Sequence, residues 1–132
     1  MERQKKVVDA SVIVKWFLKE EKRDEAIEIR YLQIKGKIKI IVPELIFLEV
    51  LNAIKYKKVK KNFLPQVIKF LYKINLSVEK TDQFILDTAL RISLEHNLSI
   101  YDSLYAALAQ VHSCQLITED EKLKKLPFAV SL

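Results

Sequence analysis

The chain has 132 residues, half of them hydrophobic, enough for one well-filled core and too few for two ordinary domains, so residues 1–132 are expected to form a single domain. Its longest uninterrupted apolar stretch, residues 104–109, is far short of the ~20 residues of a membrane span, and no signal-peptide pattern opens it; the expectation is a soluble, cytoplasmic protein without a membrane partner. Lys and Arg outnumber Asp and Glu by 23 to 17, and the resulting +6 favours polyanions, while the lone Cys114 excludes an intrachain disulfide and a thiolate zinc site.

Apolar runs alternate with helical patterns along the whole chain, the mark of βα units and a largely parallel sheet. Residues 7–10 read as a strand and 11–17 as a short helix that Ser11 can cap. An amphipathic helix over 24–34 carries Ala26, Ile27, Ile29, Tyr31 and Ile34, and Gly36 is placed to end it. The β-branched run 38–42 is a strand, after which Pro43 suits the start of a helix reaching Lys58. Another helix covers 63–74 with Pro65 in its first turn, followed by a short strand at 76–78. Thr81 or Asp82 caps a helix running to His96. Residues 99–109 lead into a nearly all-apolar helix, 115–118 are strand-like, 120–126 form a short helix and 128–130 a last strand. The expected fold is α/β, a three-layer α/β/α sandwich around a mainly parallel sheet of four to five strands.

Four acids stand out against this pattern. Asp9 follows the first strand and Asp120 a later one, and open parallel sheets gather ligands outside the carboxyl ends of their strands. Asp9 also has a plain reading as a turn acid at a helix N-terminus. Glu49 sits in an otherwise apolar helix at the edge of its buried stripe, sharing a side with Leu45, Asn52, Ala53 and Tyr56, where an unpaired carboxylate needs a proton or a cation. Its alternative is a glutamate on the solvent rim. Asp102 opens the apolar helix 103–112, as a leading acid or an ordinary N-cap. Asp120 lies inside the spacing Thr118 to Glu121 of a capping box, which would make it a first-turn acid. Taken together, the four carboxylates point to a divalent-metal site.

The same residues carry a resemblance. Val7-Val8-Asp9-Ala10-Ser11, Pro43-Glu44-Leu45 running into Glu49-Val50-Leu51-Asn52-Ala53, Tyr101-Asp102-Ser103 before Tyr105-Ala106-Ala107-Leu108-Ala109, and Leu116-Ile117-Thr118-Glu119-Asp120-Glu121-Lys122-Leu123 are similar, in order and spacing, to the four sequence blocks of PIN-domain ribonucleases. The chain resembles most the small VapC-type toxins of prokaryotic toxin–antitoxin pairs. The resemblance implies that Asp9, Glu49, Asp102 and Asp120 are the metal-binding, catalytic acids, that Ser11, Asn52 and Thr118 are the supporting polar residues, and that the fold is PIN-like. It further implies RNA as substrate, a small antitoxin as partner and a homodimer. Related PIN domains also serve in RNA processing, and a non-catalytic RNA- or protein-binding scaffold is the other alternative.

Oxygen-only ligands suit Mg²⁺ or Mn²⁺, one or two ions that would activate water against a phosphodiester. Lysines would supply the remaining attraction for RNA, above all the run 55–61 with five lysines in seven positions, although a solvated helix end explains that run as well. Trp16, Phe17 and the tyrosines offer base-stacking surfaces if they are not core. Helices around 47–54 and 63–74 have apolar excess for a dimer surface or an antitoxin groove. A dehalogenase-like phosphotransferase would want a second Asp where Ser11 stands, and a receiver an additional acid pair. A metal-independent ribonuclease would have to use His96 and His112.

Overall fold

The computed structural model describes residues 3–132. Five strands, β1 (Gln4–Val8), β2 (Ile38–Pro43), β3 (Ser77–Glu79), β4 (Gln115–Ile117) and β5 (Ala129–Val130), form one sheet in the order β3-β2-β1-β4-β5, with every neighbouring pair parallel. Six α-helices connect them: α1 (Ala10–Ile13), α2 (Arg23–Ile34), α3 (Leu45–Tyr56), α4 (Phe63–Lys73), α5 (Gln83–His96) and α6 (Ile100–Val111). A parallel pair needs a crossover, and right-handed crossovers put α1–α4 on one face as the chain steps from β1 to β3. The return from β3 to β4 puts α5 and α6 on the other. The helices contact one another within these two groups, and α6 lies across β1, β2 and β4.

Burial on both faces explains the composition of the inner strands. Val7, Val8, Ile40, Ile41, Val42 and Leu116 are fully buried, each contributing roughly 1.5–3 kcal/mol relative to exposure. From Ser103 to Ala109 α6 is buried all round, as its apolar circumference predicts. The outer face of α2 differs from the expectation: Tyr31 and Ile34 are exposed, and the buried side chain near its end is Gln33. Gln33 accepts from the Ile40 N–H (2.8 Å) and donates to the Asn75 carbonyl (3.0 Å), stitching α2 to β2 and to the turn before β3.

Several boundaries move, each for a local reason. β1 starts at Gln4 because its lysines extend the ladder beside Lys37 and β2 before the apolar residues begin, and the strand ends before Asp9. The helix expected over 11–17 is α1 followed by a 3₁₀ turn, Val14–Trp16. Pro43 closes β2, paired in register with Glu79, and does not open a helix; the next free N–H, that of Glu44, bonds the Glu79 carbonyl and α3 begins at Leu45. Gly36 has φ +75, the left-handed turn expected of it, and Asp82 caps α5 by accepting from the Ile85 N–H at 2.9 Å. The helix expected over 120–126 reduces to a 3₁₀ turn, Leu123–Lys125.

Candidate active site

The strand order reverses direction between β1 and β4, so the crevice of the sheet opens where those two strands end. Asp9 follows β1 and Thr118 follows β4, and the two meet there. Asp9 is 5 % exposed; its Oδ1 accepts from Ser11 Oγ at 2.6 Å and its Oδ2 from Thr118 Oγ1 at 3.0 Å. The expectation that Ser11 caps α1 is corrected: its hydroxyl donates to Asp9 and accepts from the Glu119 N–H at 2.9 Å, tying β1's end to the loop after β4. The capping box from Thr118 to Glu121 does not form either. Thr118, fully buried, gives its proton to Asp9 and accepts from the Asp120 N–H at 3.0 Å. Asp120 in turn caps the 3₁₀ turn, its Oδ1 accepting from the N–H groups of Lys122 (2.9 Å) and Leu123 (3.0 Å).

The other two acids reach the crevice from helices. Ser99 is the N-cap of α6, accepting from the Asp102 N–H at 3.0 Å, so Asp102 stands in the first turn and is not itself the cap. Glu49, half-buried on α3, accepts a hydrogen bond from the Tyr105 hydroxyl on α6. Tyr105 reads from the sequence as a core residue only; the signal available was an aromatic with a polar end on a helix too apolar to leave that end unpaired. Asn52, one turn beyond Glu49, is exposed and makes no side-chain hydrogen bond among the described residues.

Charge is what the acids have in common. Burial pushes the Asp9 carboxyl up to about 7, against the pull of Ser11 and Thr118 and with the help of Asp120 and Asp102. Burial likewise raises Glu49, with Tyr105 opposing and Asp102 adding, and raises Asp102, with Asp120 adding and Ser99 and Lys122 opposing. The Tyr105 hydroxyl is held well above its usual range by burial and by Glu49, so it remains a donor. Asp102 thus feels or is felt by each of the other three acids. Among the described residues none of the four is in an ion pair, whereas the neighbouring Glu119 is paired with Lys22 and Lys124.

Among the described residues no three Asp, Glu, His or Cys side chains are gathered closely enough to chelate an ion as they stand. The donor set itself, four carboxylates sharing one field with no ion-pair partner among the described residues, fits a hard divalent cation and suits no soft one. The other sequence candidates lie elsewhere. Trp16 is core, its Nε1 donating to the Ala26 carbonyl at 2.8 Å. His96 and His112 end different helices; His112 pairs with Glu79 some 15 Å of helix from Asp102, so the two imidazoles do not form an acid–base couple with the crevice.

Known proteins share the fold. A toxin–antitoxin complex from Klebsiella pneumoniae has a similar fold, at TM-score 0.72 and 18 % identity over 94 % of each chain. VapC20 of Mycobacterium tuberculosis, a sarcin–ricin loop cleaving toxin, gives TM-score 0.74 at 12 % identity over 93 % of this chain and 95 % of that one. PAE2754 from Pyrobaculum aerophilum gives 0.67 at 25 % identity over 97 % and 89 %. No curated protein matches the sequence significantly. The family model of the PIN domain matches residues 6–129, nearly the whole chain and all four acids with it, and the protein therefore belongs to the PIN-domain family.

Proposed function

We propose that the protein is a metal-dependent endoribonuclease that hydrolyses RNA phosphodiester bonds, and that it serves as the toxin of a toxin–antitoxin pair. The observation that carries the chemistry is the set Asp9, Glu49, Asp102 and Asp120: four carboxylates in one field at the switch point of a parallel sheet, with no ion-pair partner among the described residues. Asp9, Asp102, Glu49 and Asp120 would hold Mg²⁺ or Mn²⁺, which when bound supplies a water activated at neutral pH and positive charge for the leaving oxygen.

The chain's own residues prepare that site. Ser11 and Thr118 fix both oxygens of Asp9, each of which keeps a further lone pair. Tyr105 orients Glu49, the kind of outer partner that costs about 10–100-fold in metal affinity when lost. Asp120 is held by two backbone N–H groups and so presents its second oxygen without side-chain freedom. Until neutralised, these acids repel an RNA backbone, which makes substrate entry depend on the ion.

The toxin role rests on the likeness to the toxin–antitoxin complex and to VapC20, and on an apolar groove of about 870 Å³ bordered by the two helices that carry Glu49 and Asp102. Leu45 and Leu48 on α3 and Tyr101 and Leu104 on α6 line it, with Leu48 69 % exposed. A covering protein, or the second copy expected in a homodimer, would bury that surface. The test is cleavage of labelled RNA with Mn²⁺ by the wild type, Asp9→Asn and Asp102→Asn, with circular dichroism to show that each is folded. Cleavage by the wild type alone is expected; wild-type rates in both variants would remove the acids from the mechanism.

A further inference from the structure

The lysine run 55–61 begins at the end of α3 and leads to α4. Between that end and the start of α4 lies a pocket of about 490 Å³, separate from the acids. Phe17, edge-on to Phe70 at 5.4 Å, and Phe63, both half-buried against the core, give it an aromatic lining, Lys58 and Lys60 stand on it, and Asn62 and Gln66 contribute amides. Asn62 is the N-cap of α4 but its side chain makes no capping hydrogen bond, and Gln66, exposed in the first turn, makes none to a described residue. The amides therefore have donors and an acceptor to spend on a ligand. The positive end of α4 adds to the lysines.

Aromatic lining, free amides and positive charge together match one chemistry, a nucleobase with its phosphate: rings stack on bases, Asn and Gln read base edges, and lysines neutralise the backbone. The pocket is also tied to the acids. The segment from Asp9 through α1 to Phe17 and the helix from Glu49 to its end at Tyr56 pack together, both starting at the crevice; from Glu49 to Tyr56 is ~10 Å of helix. Glu20 clasps their far ends, 3.6 Å from Lys15 and 3.7 Å from Lys57.

Resting on the ribonuclease reading above, we propose that this pocket is a base subsite: it takes one unpaired nucleotide of the single-stranded RNA cut at the acids, and so fixes where the cut falls relative to that base. The full-length ¹⁵N-labelled protein, in EDTA, is titrated with each ribonucleoside 5′-monophosphate and separately with inorganic phosphate. At least one nucleotide should shift Asn62, Phe63 and Gln66 resonances, side-chain amides included, in a way phosphate alone does not. No shift there with any nucleotide, or the same shift with phosphate alone, overturns the proposal. An Asn62→Ala/Gln66→Ala variant, altered only at exposed positions, should bind a single-stranded oligomer about tenfold more weakly and lose a base preference at a fixed distance from the cut. Unchanged binding and cleavage pattern also overturns it. Since the titration needs no cleavage, a failed subsite with intact cleavage, and an intact subsite with no cleavage, are separate results.

Discussion

Replacing Asp9 by Asn should stabilise the metal-free protein, and increasingly so as pH rises. The Asp9 carboxyl is raised from 3.8 to about 7 in the folded chain, first by burial. Below pH 3.8 folded and unfolded chains both hold the proton and nothing is lost. Between 3.8 and about 7 the unfolded chain releases it while folded Asp9 keeps it, so stability falls by ~1.4 kcal/mol per pH unit. Above about 7 the loss is complete, about 4 kcal/mol for a shift of this size. Asn has the same shape and no charge, and the Ser11 hydroxyl can turn from donor to acceptor for its amide. In EDTA the stability of Asp9→Asn relative to wild type should therefore grow by roughly 3 kcal/mol from pH 5 to pH 7 and then level off, on the order of 10 °C in melting temperature. Urea denaturation at unit steps of pH measures it. Millimolar Mn²⁺ at pH 8 should raise the wild type and close the gap, since an ion that binds only the folded state stabilises it by mass action. A gap that does not change with pH would refute the reasoning, because it would mean that Asp9 ionises as it does in the unfolded chain.

Substitutions at three further positions separate scaffold from chemistry. Asp120→Asn keeps an oxygen for the Lys122 and Leu123 N–H groups and should lose cleavage at near wild-type stability, whereas Asp120→Ala should lose cleavage and about 1 kcal/mol as well, read by activity and melting in parallel. Thr118→Val leaves the buried Asp9 oxygen and the Asp120 N–H without their partner and should cost about 1–3 kcal/mol, with Thr118→Ser recovering most of it in denaturation experiments. Tyr105→Phe retains the buried ring and removes the donor to Glu49; titration calorimetry with Mn²⁺ should show weaker binding, with folding stability changed by about 1 kcal/mol or less.

The parallel sheet and its helices were legible because the inner strands are buried on both faces and so read as continuous β-branched runs, while α6 announces its burial through a circumference with no polar stripe. Short elements were not. The helix signal at 11–17 became the four-residue α1 and a 3₁₀ turn, and that at 120–126 a 3₁₀ turn alone, because Ser11 and Asp120 spend their side chains on the crevice and its loops and not on extending a helix. Pro43 fits a helix start and a strand end equally by its missing N–H, and only the pairing with β3 decides. All four acids could be picked out, since each follows a strand or interrupts an apolar helix. What holds them could be read only in part. Thr118 reaches Asp9 across 109 positions, and Tyr105 reaches Glu49 from another helix, contacts that no local pattern contains. Asn52, which the family resemblance puts among the supporting residues, is exposed one turn beyond Glu49 and makes no side-chain hydrogen bond among the described residues.

The chemistry of the cut ends tests the central claim most directly. Hydrolysis by a metal-activated water leaves a linear phosphate on one product and a hydroxyl on the other, whereas acid–base catalysis by side chains lets the neighbouring 2′-hydroxyl attack and leaves a 2′,3′-cyclic phosphate. Mass spectrometry of RNA fragments made by the wild-type protein with Mn²⁺ should show only linear phosphate and hydroxyl ends, and none should form in EDTA. Cyclic phosphate ends, produced equally well after the metal is removed, would contradict the assignment of Asp9, Glu49, Asp102 and Asp120 as the metal-binding heart of a ribonuclease.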